Sequence, residues 1–95
     1  MRVISRKPLK EFSLRYPDSK TALDAWFQII SANTFENLAA LRQIFPSADN
    51  VGPLIVFNIG GNKYRLIAAI HFNTKMIYIR HVLTHEEYDK NKWKG

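Results

Sequence analysis

Between Leu54 and Leu83 the chain takes on a period of two, broken only at Gly60-Gly61-Asn62 and at Asn73-Thr74. Side chains alternate across a strand, so this period predicts strands, and both breaks are made of residues that tolerate turns. The stretch reads as two consecutive hairpins, a β-meander. Its middle strand has two unlike faces. Tyr64, Leu66, Ala68, Ile70 and Phe72 form an apolar face, expected to lie against helices. Arg65, Ile67, Ala69 and His71 form the other, expected to stay open. A two-residue turn at Asn73-Thr74 sets Ile67 opposite Arg80 and gathers both arginines on the open face. A loop that also takes in Lys75 moves Arg80 to the other side, and the sequence admits both registers.

Upstream the period is helical. Pro8 suits a first helical turn, Leu9, Phe12 and Tyr16 follow at helical spacing, and Pro17 stops the run. Asp18 and Ser19 are suitable N-caps for a second helix, whose apolar stripe is Ala22, Ala25, Trp26, Ile29 and Ile30. Thr34 is the expected cap of a third helix, which carries Leu38, Leu41 and Ile44 or Phe45 and ends at Pro46. Residues 46–53 read as a loop, and residues 2–5 as an edge strand. Thr84-His85-Glu86-Glu87 has the spacing of a capping box, so a final helix is expected to start at His85, with Tyr88 one turn on.

Residues 1–95 are expected to form one domain. The net charge is +6, and the half from Val51 onward holds seven Lys/Arg against three acids. Such a balance favours an anionic partner such as nucleic acid. There is no cysteine, which excludes disulfides and thiolate metal sites. Met1 to Lys7 has no apolar core of signal-peptide length, and no run approaches the roughly 20 apolar residues of a membrane span. A cytoplasmic protein without membrane contact is expected.

Arg65, Arg80, His85 and Tyr88 are the residues with chemistry to offer. Cleavage of RNA by its own 2′-hydroxyl needs a base, an acid for the leaving oxygen, and a cation for the phosphorane oxygens. Arginine stays charged and its planar fork meets two phosphate oxygens; histidine exchanges protons near neutrality. A helix start also presents N–H groups to a phosphate. The same residues fit a plainer reading, a well-capped helix with His85 on the surface and Tyr88 in the core. Gly60-Gly61-Asn62-Lys63 is a hairpin turn before it is a phosphate cradle. Lys90, Lys92 and Lys94 read as a solvated tail or a contact to an RNA backbone, and Trp93 between them either stacks on a base or covers the sheet edge, with burial favoured. No metal site is expected, because a strand–helix junction separates His81 from His85. No cofactor is expected.

Three segments resemble the HigB toxins of the RelE-like superfamily: Ile44 to Asp49, Val56 to Leu66 and Tyr78 to Asp89. The resemblance implies an α+β fold, a small antiparallel sheet with two or three N-terminal helices on one face and a short C-terminal helix. It implies a ribosome-dependent, metal-independent mRNA endonuclease acting in the A site. It also implies a helix-turn-helix antitoxin of the HigA type, with operator DNA bound only through the complex. Arg65 falls on the superfamily's phosphate-binding arginine, and His85 and Tyr88 on the C-terminal site that supplies the acid. RelE itself carries lysines on the strand before the turn. This chain has Asn58 there and Lys63 beyond it, so Lys63 and His85 are alternative bases. Asn58, Asn62, Arg80, Lys90 and Lys92 are the expected RNA contacts. The competing class is an RNA-binding or corepressor module without chemistry. A DNA-binding domain fits less well, because no helix-turn-helix pair is evident.

Overall fold

The computed structural model describes residues 1–94. Strand β1 (Arg2–Ile4) leads into α1 (Lys7–Arg15), a 3-10 turn at Pro17–Ser19, α2 (Lys20–Ala32) and α3 (Leu38–Ile44). Then come β2 (Asp49–Val51), β3 (Leu54–Ile59), β4 (Tyr64–His71), β5 (Met76–Thr84), α4 (His85–Asp89) and a 3-10 turn at Lys92–Lys94. The five strands form one sheet in the order β1-β5-β4-β3-β2. The α+β class and the β3–β4–β5 meander are as expected.

The sheet is not wholly antiparallel, since β1 pairs parallel with β5. β1 opens the chain at one edge, three helices carry the chain to β2 at the other, and the meander brings β5 back beside β1 running the same way. The expected loop at 46–53 also contains a strand. Asp49 pairs with Val56 and Val51 with Leu54 across a turn at Gly52-Pro53, where Gly52 takes a positive φ of 59°.

Two helix starts differ from expectation. Ser19 makes no side-chain cap; its hydroxyl donates to the Tyr16 carbonyl, and α2 begins through the 3-10 turn. Helix α3 is capped by Asn37, which accepts from the Ala40 N–H at 2.9 Å, rather than by Thr34. Phe35 lies between these two cap-type residues and is buried, so the chain stays extended until that ring has entered the core. The capping box of α4 is complete in both directions.

Near its turn the β4–β5 hairpin has the register of a two-residue turn, with Ala69 opposite Tyr78. A bulge then intervenes, so Ile67 faces His81 and Arg80 becomes the extra residue. The helix-side core joins Leu9, Phe12, Leu23, Trp26, Ile30 and Leu41 to Phe57, Leu66, Ala68 and Ile77. Phe57 sits edge-on to both Trp26 and Phe45, at centroid distances of 5.4 and 5.2 Å. No helix among the described residues is long and apolar enough to cross a membrane.

Candidate active site

The other face of β4 is covered sparingly. Ile67 and Val56 lie under Trp93, with Tyr88 and Leu83 beside it. The face expected to stay open is therefore closed over its middle by the C-terminal segment. Trp93 donates its indole N–H to the Tyr88 carbonyl at 3.1 Å and stacks on the Tyr88 ring, with centroids 5.2 Å apart and planes 15° apart. Burial of Trp93, rather than stacking on a base, is the outcome.

Arg65 emerges next to this cover and is only 8% exposed. Its position is set by the preceding turn. Gly60 and Gly61 both take positive φ, at 62° and 69°, and bring Asn62 back toward the strand. Arg65 Nη2 donates to Asn62 Oδ1 at 3.0 Å, and Nη1 to the carbonyls of Asn62 and Tyr64 at 3.2 and 3.1 Å. The guanidinium carbon lies 5.4 Å from the centre of the Tyr88 ring. A backbone bond from the His85 N–H to the Lys63 carbonyl, at 3.0 Å, ties the start of α4 to the same turn.

Arg65 and Tyr88 face a cleft of about 490 Å3. Asn58, opposite Arg65 on β3, shares its floor with Val56. The far wall is Arg42 from the last turn of α3 and the segment Pro46 to Asp49. Arg42 Nε donates to the Ala48 carbonyl at 2.9 Å, and its Nη2 lies 3.9 Å from Asp49 Oδ1. The cleft thus holds two guanidinium groups, one carboxylate, one phenol and one amide, a set suited to a phosphodiester. Among the described residues, no group of three or more His, Asp or Glu is placed to hold a metal ion.

The family model for HigB_toxin, described as the RelE-like toxic component of a toxin–antitoxin system, matches residues 19–91. The chain belongs to the HigB toxin family. It is 41% identical over 92 residues to the mRNA interferase toxin HigB of Escherichia coli K12, covering 94% of this chain and 88% of that relative. It is equally similar to the mRNA interferase HigB of Shigella flexneri. A HigB mRNA interferase of Escherichia coli O6:H1 is 34% identical over 93 residues, with 95% and 90% covered.

Of the residues picked from the HigB-like segments, Arg65, Tyr88 and Asn58 meet at the cleft. Asn62 is adjacent, but its oxygens are occupied by Arg65, so it positions that arginine. His85 does not line the cleft. Its ring is about half exposed, with Nδ1 2.9 Å from Asp89 Oδ2. Two of the amides that start α4 are engaged, His85 with the Lys63 carbonyl and Glu87 with the Thr84 hydroxyl, which leaves few donors there for a phosphate. Lys63 points toward the helix layer, where its Nζ lies 3.6 Å from Asp18. Asp18 also accepts from the Tyr64 hydroxyl at 2.6 Å. This bond, more than the neighbouring lysine, lowers the Asp18 carboxyl below its usual range; it also pushes Tyr64 up to about 12, with burial adding to the rise.

Arg80 stands apart. The bulge turns it to a hollow shared with Glu11 and Arg15 of α1, so it does not join Arg65 on one face. Lys90 and Lys92 flank Trp93 in a shallow hollow with His81 and Glu87. The residues missed by sequence reasoning are Arg42 and Asp49. Asp49 closes the HigB-like Ile44–Asp49 segment, which was a signal, but no local pattern links Arg42 to a strand residue 23 positions later.

Proposed function

We propose that this chain is the toxin of a toxin–antitoxin pair, an endoribonuclease that cuts mRNA on the ribosome with Arg65 and Tyr88 at the scissile phosphate. The guanidinium of Arg65 carries this reading. It is buried beside a cleft, its bonds inside the protein use only part of its five donors, and no carboxylate pairs with it among the described residues. A buried charge lacking a counter-charge is costly, and an anionic substrate supplies the missing partner.

The reaction needs no covalent intermediate on the protein. The 2′-oxygen loses its proton to a base and attacks the adjacent phosphorus. The bond from phosphorus to the 5′-oxygen breaks, leaving a 2′,3′-cyclic phosphate. The departing oxygen takes a proton and becomes a 5′-hydroxyl. Arg65 stabilises the non-bridging oxygens, where charge builds in the transition state. Tyr88, in the same cleft, gives the proton to the leaving oxygen. Asn58, Lys90 and Lys92 hold the strand on either side. A helix-turn-helix antitoxin of the HigA type neutralises the toxin in the cytoplasm, and the pair binds operator DNA through the antitoxin.

Growth arrest on expression of the free chain, relieved by its antitoxin, is the coarse test. The finer one is single-turnover cleavage of ribosome-bound mRNA, mapped by primer extension, with sulfur replacing the scissile 5′-oxygen. Tyr88→Phe should slow the ordinary substrate by about 10²-fold, the low end for a lost general acid. The sulfur substrate should react at nearly the wild-type rate, because a thiolate leaves without a proton. A deficit equal on both substrates removes Tyr88 as the acid. Absence of cutting by the wild type overturns the endonuclease reading.

A further inference from the structure

The base is the part of this chemistry that neither histidine nor lysine fills, since His85 and Lys63 both lie outside the cleft. We infer that Asp49 is the general base, with the Arg42 guanidinium fixed beside it. The inference rests on the endonuclease reading above and names a further residue for that reaction.

The titratable groups that line the cleft are Arg42, Asp49, Arg65 and Tyr88. Arginine does not give up its proton in a protein, so neither guanidinium can accept one. Tyr88 serves the leaving oxygen. A base and an acid must act on opposite sides of the phosphorus, since the attacking and leaving oxygens are in line. Tyr88 comes from the C-terminal helix and Asp49 from the opposite wall, so two groups from separate walls bracket the space where the phosphate would lie.

Asp49 is also held as a base should be. It opens β2 and pairs with Val56, whose side chain belongs to the cluster beneath Trp93, so it sits on the cleft face of the sheet. Its contact with Arg42 is loose, at 3.9 Å with both side chains about half exposed or more, so its oxygens remain open to a proton. Arg42 is anchored through Nε to the Ala48 carbonyl, which fixes a positive charge next to the carboxylate. That charge lets a phosphate approach a wall that would otherwise repel it. A purely structural role for the pair, stapling the Pro46–Asp49 segment to α3, uses the Arg42 bond to Ala48 and has no need of the carboxylate.

The test is single-turnover cleavage by full-length variants on assembled ribosomes. Asp49→Asn, nearly the same shape, should lose about 10²-fold in rate with ribosome binding and circular dichroism unchanged. Asp49→Ala should lose as much and regain activity in proportion to added formate, which restores a carboxylate to the vacated space. Arg65→Ala should gain nothing from formate. The sulfur-for-oxygen substrate should leave the Asp49→Asn deficit in place, because it removes the need for an acid and not for a base. Wild-type rates in Asp49→Asn, or a deficit in Asp49→Ala indifferent to formate, would overturn the inference. A wild type that does not cut would instead bring down the endonuclease reading, so the two failures are distinct.

Discussion

Strand β4 buries both of its faces, but by different means. Leu66 and Ala68 point into a helix layer built from three helices and a cluster of aromatic rings; Arg65 and Ile67 point to a side roofed by a five-residue helix and one tryptophan. The helix side has redundancy: Phe12, Tyr16 and Tyr64 form a mutual trio of rings, and Phe57 meets both Trp26 and Phe45. The cleft side has a chain of single dependencies: Asn62 holds Arg65, and Trp93 holds Tyr88. The core is concentrated on the first face and the residues proposed for catalysis on the second, so mutations should separate stability from cleavage by face.

The largest effect should come from the helix side. Phe57→Ala removes a fully buried ring and should cost about 3–5 kcal/mol by chemical denaturation, with cleavage per folded molecule preserved. A loss below about 1 kcal/mol would mean the helix layer is not the main source of stability. Arg65→Ala should lower the single-turnover rate by about 10²–10³-fold while the protein stays folded, and Arg65→Lys should recover only part because it lacks the planar fork. Unchanged cutting in Arg65→Ala would undo the contrast from the other side.

Trp93→Ala sharpens it. The substitution deletes one hydrogen bond, one aromatic pair and the cover over Ile67 and Val56, but this roof is a single side chain at the surface that can collapse, so it should cost about 3 kcal/mol or less, below Phe57→Ala. It should still slow cleavage about tenfold by freeing Tyr88, the effect of a shift of roughly 1.4 kcal/mol in barrier. Trp93→Phe keeps a ring on Tyr88 and should restore most of the rate. If Trp93→Ala instead unfolded the chain as readily as Phe57→Ala, the two faces would be one cooperative unit.

The smallest effect concerns pH and belongs to the helix side. The Tyr64 hydroxyl is raised from 10.0 to about 12 by its bond to Asp18, so the protonated phenol is favoured in the folded state. Its contribution is full below pH 10 and is lost as pH rises from there through about 12. The Asp18 carboxyl is lowered from 3.8, so its contribution is present above that value and disappears as pH falls below it. Tyr64→Phe should flatten the stability profile at both ends and leave the cleavage rate at neutral pH alone. A profile that keeps both shoulders in Tyr64→Phe would assign them to other groups.

Much of this was readable in advance, for identifiable reasons. Period two told which residues share a sheet face, so Arg65 was set on the face away from the helices, though not as buried as it is, and β4's apolar face led to the helices. The capping box was legible because both of its partners lie within four residues. What failed depends on contacts made at long range. The bulge at Arg80 has no mark in composition; it appears only where two strands must align. Lys63 lies in a turn and His85 at a helix start, so neither inherits a direction from the strand pattern. Between Thr34 and Asn37 the cap was decided by the burial of Phe35, a tertiary event. Asp49 entered the cleft because β2 formed where a loop was expected, and Arg42 because the last turn of α3 reaches the Ala48 carbonyl beside it.

The bond from the His85 amide to the Lys63 carbonyl has a consequence for how such a site drifts over generations. A tie between two main chains is blind to the side chains that hang from them. Positions 63 and 85 can therefore change identity freely while the turn that steadies Arg65 and the helix that carries Tyr88 stay linked. Lineages could exchange these two residues without loosening the architecture, and selection on the link would leave almost no trace in the sequence. Proline at position 85 is the one heritable change that would reveal it. Proline is welcome at a first helical position, so α4 would still form, but without an N–H the link would be cut.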